Sequence, residues 1–278
     1  MVNLKNKIKR VAAINDMSGI GRCSLTAVIP ILSTLGIQCC PFPTAILSNQ
    51  TEYSKFTFLD LTDNMKEYKN SWKGLDITFD CIYSGFLGSE SQINIVSEFV
   101  KNNHDALIVI DPVMGDNGII YDTYTKEMCS RLKELVKMAD LVTPNLTEAC
   151  ILTEKDYNSI DITEKNLITI AKEIINLGPK KVIITGIISK NEIWNFAYDK
   201  ELKESFIVRS NYNNKSYSGT GDIFTSIVVG MLLRGNSLKE SIEKASKFIY
   251  KVIEFTSKYD TDTKEGIMFE LFLRELIL

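Results

Sequence analysis

An alternation of short β-branched runs with amphipathic stretches restricts the fold of this chain more than any other feature. Residues 10–14, 79–83, 107–110, 141–142 and 181–185 form the runs, and 23–35, 91–101, 125–138 and 164–177 lie between them. The runs are continuous rather than alternating in hydrophobicity, as strands are when helices cover both faces of their sheet. The stretches between carry apolar residues at helical spacing, and Gly178-Pro179 stops the last of them. Strand, helix and strand in succession predict parallel βαβ units and hence a doubly wound α/β sheet. After Thr185 the pattern changes. Residues 193–198 and 205–209 flank the turn-like Asp199-Lys200-Glu201, which predicts an antiparallel hairpin extending the sheet, and the chain then reads as helical to its end. No repeat, low-complexity tract or linker interrupts it, so residues 1–278 read as one domain. The polar stretch 51–74 fits no βα unit and predicts an edge excursion or a flap on the substrate side.

Charge and composition narrow the partners. With 32 Lys+Arg against 35 Asp+Glu the net charge is −3, and no basic run is interleaved with aromatics, so nucleic acid is not the expected ligand. No apolar run reaches membrane-spanning length, and the residues after Met1 lack the apolar core of an export signal, which predicts a soluble, cytoplasmic protein. The 6 cysteines include no C-x-x-C pair and the single histidine is His104, in a polar stretch. Reduced thiols are expected, and zinc sites or His-dependent triads lack their residues.

Four segments carry chemistry. Ser218-Gly219-Thr220-Gly221-Asp222 precedes an apolar helix, so N–H groups and the positive helix end converge beside a carboxylate. Such a hole suits a phosphoryl group in transfer, with Asp222 accepting the proton of an attacking alcohol. A turn with Asp222 as helix cap explains the same residues. Ile110-Asp111-Pro112-Val113-Met114-Gly115-Asp116 ends a strand in two carboxylates, where open α/β sheets bind ligands, and Asp111 and Asp116 suit Mg²⁺. Thr143-Pro144-Asn145-Leu146-Thr147-Glu148 has the spacing of a helix capping box at Asn145 and Glu148, yet both would also face phosphates, where Glu148 can hold a metal-bound water. Asn15-Asp16-Met17-Ser18-Gly19-Ile20-Gly21 follows the first strand but lacks the third glycine of a dinucleotide fingerprint. A loop lined by Asn15, Asp16 and Ser18 suits a small polar ring instead, on which Phe86 of Ser84-Gly85-Phe86-Leu87-Gly88-Ser89 can stack, unless Phe86 is simply a core aromatic.

In this order, Ser-Gly-Phe-Leu-Gly-Ser at 84–89, Asp-Pro-Val-Met-Gly-Asp at 111–116, Thr-Pro-Asn-Leu-Thr-Glu at 143–148 and Gly-Thr-Gly-Asp at 219–222 resemble the pyridoxal kinase family of the ribokinase-like superfamily. The likeness runs from about Val11 to Lys251, and Ser48-Asn49-Gln50-Thr51 resembles that family's Ser-Asn-His-Thr segment. The resemblance implies a three-layer α/β/α fold with a mostly parallel sheet, and ATP-dependent phosphorylation of the 5′-hydroxymethyl group of pyridoxal, pyridoxine or pyridoxamine. It implies Asp222 as general base and Gly219, Thr220 and Gly221 as the anion hole. Asp111, Asn145 and Glu148 would face ATP and Mg²⁺, with Thr143 and Thr185 near the nucleotide and Thr51 touching the vitamer. A monovalent cation is left open. Tyr121 would lie on a mobile loop over the phosphates, and relatives are commonly homodimers. Asn15 stands where many relatives have a ring-contacting serine, and Gln50 where they have histidine. Asp16-Met17-Ser18-Gly19 also resembles hydroxymethylpyrimidine kinases, which keeps that substrate of thiamine synthesis as the alternative.

Overall fold

The computed structural model describes residues 8–75 and 77–277; the amino-terminal reading over residues 1–7 and position 278 of the tail lie outside it. The expected parallel strands are β1 (Arg10–Ser18), β4 (Cys81–Ser84), β5 (Leu107–Ile110), β8 (Leu141–Val142) and β9 (Lys181–Ser189). Their side chains alternate between two cores. Val11, Ala13, Cys81, Tyr83 and Val109 point to one face, while Ala12, Ile14, Ile82, Ile108 and Ile110 point to the other. Burial on both sides is the reason these runs are apolar throughout.

One nine-stranded sheet results, in the order β11 (Glu204–Asn211), β10 (Glu192–Asp199), β9, β8, β5, β4, β1, β2 (Gln38–Leu47), β3 (Phe58–Asp60). The predicted hairpin is β10 (Glu192–Asp199) with β11 (Glu204–Asn211), β10 lying antiparallel to both β11 and β9. Helices α1 (Ser24–Thr34), α7 (Thr220–Leu233) and α8 (Leu238–Thr256) cover one face. The other carries α2 (Thr62–Gly74), α3 (Glu90–Lys101), α4 (Lys126–Val136), α5 (Leu146–Thr153) and α6 (Glu164–Leu177). The fold is therefore the three-layer α/β/α arrangement, with a sheet parallel at its centre and antiparallel at both edges.

Several elements depart from expectation. β1 continues through Ser18, so Asn15, Asp16 and Ser18 stand on a strand rather than a loop, with a register shift between Asn15 and Met17. β2 (Gln38–Leu47) was hidden by Pro41 and Pro43. Both prolines have the parity opposite to Gln38, whose N–H bonds Lys9 O, so their missing donors face away from β1 and cost the ladder nothing. The stretch 51–74 resolves into a turn, the edge strand β3 (Phe58–Asp60) and α2, which seats Met65 and Trp72 against Phe42, Phe79 and Phe99. The segment around Tyr121 is a hairpin, β6 (Gly115–Asp116) and β7 (Ile119–Ile120), joined by Asn117-Gly118 with both φ angles positive. The tail is not α-helical: it forms 3-10 turns at Thr263–Glu265 and Phe269–Leu276, docked by buried Ile267, Phe269 and Leu276.

Candidate active site

The carboxyl ends of β1, β4, β5 and β8 and the start of α7 converge on Asp222. Gly219 is the N-cap of α7, so Asp222 is the third helical residue and does not cap its own helix. Its carboxylate instead reaches across the sheet: Oδ2 accepts the Ser24 N–H at 2.8 Å and Oδ1 accepts the Asn15 amide at 2.9 Å. The two motif glycines do different work. Gly219 has φ +76°, and a Cβ there would lie 2.1 Å from the Arg22 carbonyl. Gly221 is helical, and a Cβ would meet nothing nearer than Asp111 Oδ2 at 4.0 Å, so its missing side chain keeps space open rather than permitting a conformation.

Two cavities meet at this carboxylate. The first is lined by Asn15, Asp16, Ser24, Thr51 and Phe86 among others, and the second by Asp111, Asp116, Thr143, Asn145, Glu148 and Thr185. Asp222, Gly219, Ser218, Glu52 and Tyr121 line both. Among the described residues the second cavity carries no lysine or arginine; its charged groups are Glu52, Asp111, Asp116, Glu148 and Asp222. A third cavity, between β9–β11 and α8, opens beside Thr220 and Gly221 and is walled by Ile188, Ile193, Phe224, Ile249 and Ile253.

Burial dominates the electrostatics. It pushes Asp222 up to about 6, with the Asp16 charge adding to the rise and the Ser24 N–H, the Asn15 amide and the Tyr83 hydroxyl opposing it. Asp111 is raised well above the usual carboxylate range by burial and then by Asp222, and Glu148 by burial and then by Asp111. Asp16 is also raised by burial, although Ser18 and Ser24 donate to it at 2.8 and 2.5 Å.

The capping box at Asn145 and Glu148 is real: Asn145 Oδ1 accepts the Glu148 N–H at 2.9 Å, and Glu148 Oε2 accepts the Asn145 N–H at 2.8 Å. Glu148 Oε1 also accepts the Met114 N–H at 3.1 Å, and the Asn145 amide donates to the Gly115 carbonyl at 2.8 Å. Both residues thus pin the β6–β7 hairpin while lining the second cavity. Thr143 and Thr225 share a buried hydroxyl contact at 3.1 Å, and Thr185 pairs with Asn145 in an isolated bridge. Asp116 is exposed on the hairpin. Thr51 is exposed on the first cavity's wall, and Phe86 is partly buried against Tyr124. Asn15 lines the first cavity, but its amide is engaged within the protein.

Residues to which the motifs assigned no role also belong here. Ser24 supplies a donor to Asp222 from the start of α1, at φ 49°. Glu52 accepts the Ser218 hydroxyl at 2.5 Å and stands where the cavities join. Gln50 donates to the Lys264 carbonyl at 3.1 Å, and Arg22 and Ser218 donate backbone N–H groups to Glu265 and Thr263 at 3.1 and 3.2 Å, so the 263–265 turn straps three walls of the site together. Gln50 and Ser218 stand inside motif segments and Glu52 beside one of them, so these three had a signal in the sequence; the 263–265 turn had none.

A family model described as phosphomethylpyrimidine kinase matches residues 25–268. The chain belongs to this family. A solved structure from Bacteroides thetaiotaomicron, provisionally described as a phosphomethylpyrimidine kinase, is 44% identical, covers 99% of this chain and 96% of its own, and superposes with a TM-score of 0.96. A second crystal form of that protein contains pyridoxal, with 43% identity, coverage of 98% and 96% and a TM-score of 0.94. A Schizosaccharomyces pombe protein provisionally named a pyridoxal kinase is 27% identical over 91% of this chain and 87% of its own length. Pyridoxal kinase from Lactobacillus plantarum, 24% identical, shares the fold with a TM-score of 0.89 over 98% of this chain and 97% of its own. Family and fold thus agree with the ribokinase-like likeness of the four motifs.

Proposed function

We propose that this chain is an ATP-dependent kinase that phosphorylates the 5′-hydroxymethyl group of pyridoxal, pyridoxine or pyridoxamine. One observation carries the reading: Asp222 and Gly219 line both cavities, so an alcohol in one faces a phosphate in the other across a single carboxylate. Asp222 takes the hydroxyl proton while the alcohol oxygen bonds to the γ-phosphorus and the bond to the ADP oxygen breaks. Gly219, Thr220 and Gly221 present N–H groups at the start of α7 to the charge that develops on the phosphoryl oxygens. The apolar cavity beside Thr220 suits the nucleotide base, with Thr185 and Thr143 between base and phosphates. Phe86 and Thr51 flank the ring of the vitamer.

A cleft of carboxylates without a basic side chain cannot hold a triphosphate unaided, which fits Mg²⁺ arriving with the nucleotide. Among the described residues no cluster of three or more metal-ligating side chains forms a cage, and Mg²⁺ characteristically keeps waters and phosphate oxygens as its ligands. Asp111 and Asp116 line this cavity and would face such an ion, Asp116 with two oxygens that already accept the Asn117 N–H at 2.8 Å and the Asn117 amide at 3.1 Å. Glu148, whose two oxygens already accept N–H groups, would reach it through water. The bound ion would supply charge neutralisation at the phosphates.

The pyridoxal held by the 43% identical Bacteroides protein favours a B6 vitamer. The family description keeps hydroxymethylpyrimidine as the second reading. We further read the protein as one domain and as a homodimer, the latter supported by the exposed Ile46, Phe58 and Leu59 on the β2–β3 edge, and as cytoplasmic, in keeping with six free cysteines. ADP release with Mg·ATP, offered the three vitamers and hydroxymethylpyrimidine in parallel, tests the assignment. The highest kcat/KM is expected among the vitamers; hydroxymethylpyrimidine ahead would move the protein to the second reading, and no turnover would refute both.

A further inference from the structure

Asn15 was expected at the substrate ring, yet every polar atom of its side chain is engaged elsewhere. Oδ1 accepts two backbone N–H groups, from Asp16 and from Phe86, each at 3.0 Å, and Nδ2 donates to Asp222 Oδ1 at 2.9 Å. The amide cannot be reversed, because a flip would set its NH₂ against two donors and its oxygen against a carboxylate. The side chain is 2% exposed and stands at the register shift of β1, which turns it toward α7.

Gly85 completes the seat. A Cβ at that position would lie 2.5 Å from Asn15 Nδ2 and 2.8 Å from its Cγ, although the backbone there is open to any residue. The glycine in Ser84-Gly85-Phe86 is therefore accounted for by the amide lying on it, and the N–H of the next residue, Phe86, fixes that amide's orientation.

We propose that Asn15, seated on Gly85 and oriented by the Phe86 N–H, is the positioning residue that holds the Asp222 carboxylate in place for proton transfer. The inference rests on Asp222 being the general base. An N–H donor favours the ionised carboxyl, so Asn15 works with the Ser24 N–H against burial and against its negative neighbours. The titratable groups around Asp222 are Asp16 on β1, Cys23 ahead of α1, Tyr83 on β4 and Asp111 after β5. None is a cation; the Asn15 amide and the Ser24 N–H are the N–H donors to this carboxylate among the described residues, and the Tyr83 hydroxyl beside them also favours its ionised form.

Three variants test this: Asn15→Ala, Asn15→Asp and Gly85→Ala. Each is measured by the pH dependence of kcat/KM, by KM for ATP, and by ¹³C-carboxyl titration of Asp222, whose resonance is identified by its loss in Asp222→Asn. In Asn15→Ala the acid limb and the resonance midpoint are expected to rise by about one pH unit, with kcat down about tenfold and KM for ATP within about twofold. Asn15→Asp keeps both acceptor contacts but sets a carboxyl against a carboxyl, so its midpoint should rise further. Gly85→Ala, which leaves Asn15 present but displaced, should reproduce the shift. Midpoints unmoved in folded variants would overturn the proposal. The titration needs no turnover, so it decides the positioning role even if the substrate panel fails, and Asn15→Asp and Gly85→Ala decide it if Asn15→Ala does not fold.

Discussion

A carboxyl pushed up to about 6 in the folded protein leaves two marks, one on rate and one on stability. The proposed base must be ionised to act, so kcat/KM is expected to fall about tenfold per pH unit below about 6 and to level off above it. Asp222→Asn should lower kcat by about 10²–10⁴-fold while ADP still binds, as isothermal titration would read. The stability mark has the opposite sense. The folded state binds this proton more tightly than the unfolded chain, so the group favours folding most below about pH 4 and loses that contribution as pH rises through about 6. Asp222→Asn, which has no charge to bury, should therefore melt higher than the wild type at pH 7, with the difference closing toward pH 4. Asp222 itself was legible from Gly-x-Gly-Asp. Its two donors were not, because Asn15 and Ser24 lie 207 and 198 positions away and no local pattern links them.

At the level of elements, the parallel strands were legible because both faces are buried, and the β10–β11 hairpin because its turn is polar. β2 was not, since prolines argue against a strand until the parity of its free edge is known. The β6–β7 hairpin carried its own signal in Asn117-Gly118, overlooked beside an acidic motif. Asn145 and Glu148 admitted two readings in the sequence, and the structure shows the cap without excluding the other: the cap fixes α5, and α5 fixes the hairpin that bounds the second cavity. Asn145→Ala is expected to cost about 1–2 kcal/mol in urea unfolding, and to raise KM for ATP more than KM for the vitamer. Equal changes in both constants would place the effect on the whole site rather than on the hairpin.

At the scale of the molecule, the tail is a strap rather than an added helix. Sequence periodicity suggested a helix from 263 onward; instead Ile267, Phe269 and Leu276 dock between α1 and α8 and draw the 263–265 turn over Arg22, Gln50 and Ser218. Truncation after Asp262 removes these three buried side chains, each contributing about 1.5–3 kcal/mol, and should lower stability by several kcal/mol in urea unfolding together with kcat/KM. The site is thus assembled from the two ends of the chain. The proposed base comes from residue 222, the donors to it from residues 15 and 24, and the brace from residues 263–265. On a ribosome the first strand waits with an unmatched amide until residue 222 has emerged, so a nascent product that ends before Asp222 lacks both the carboxylate and its seat and cannot consume ATP.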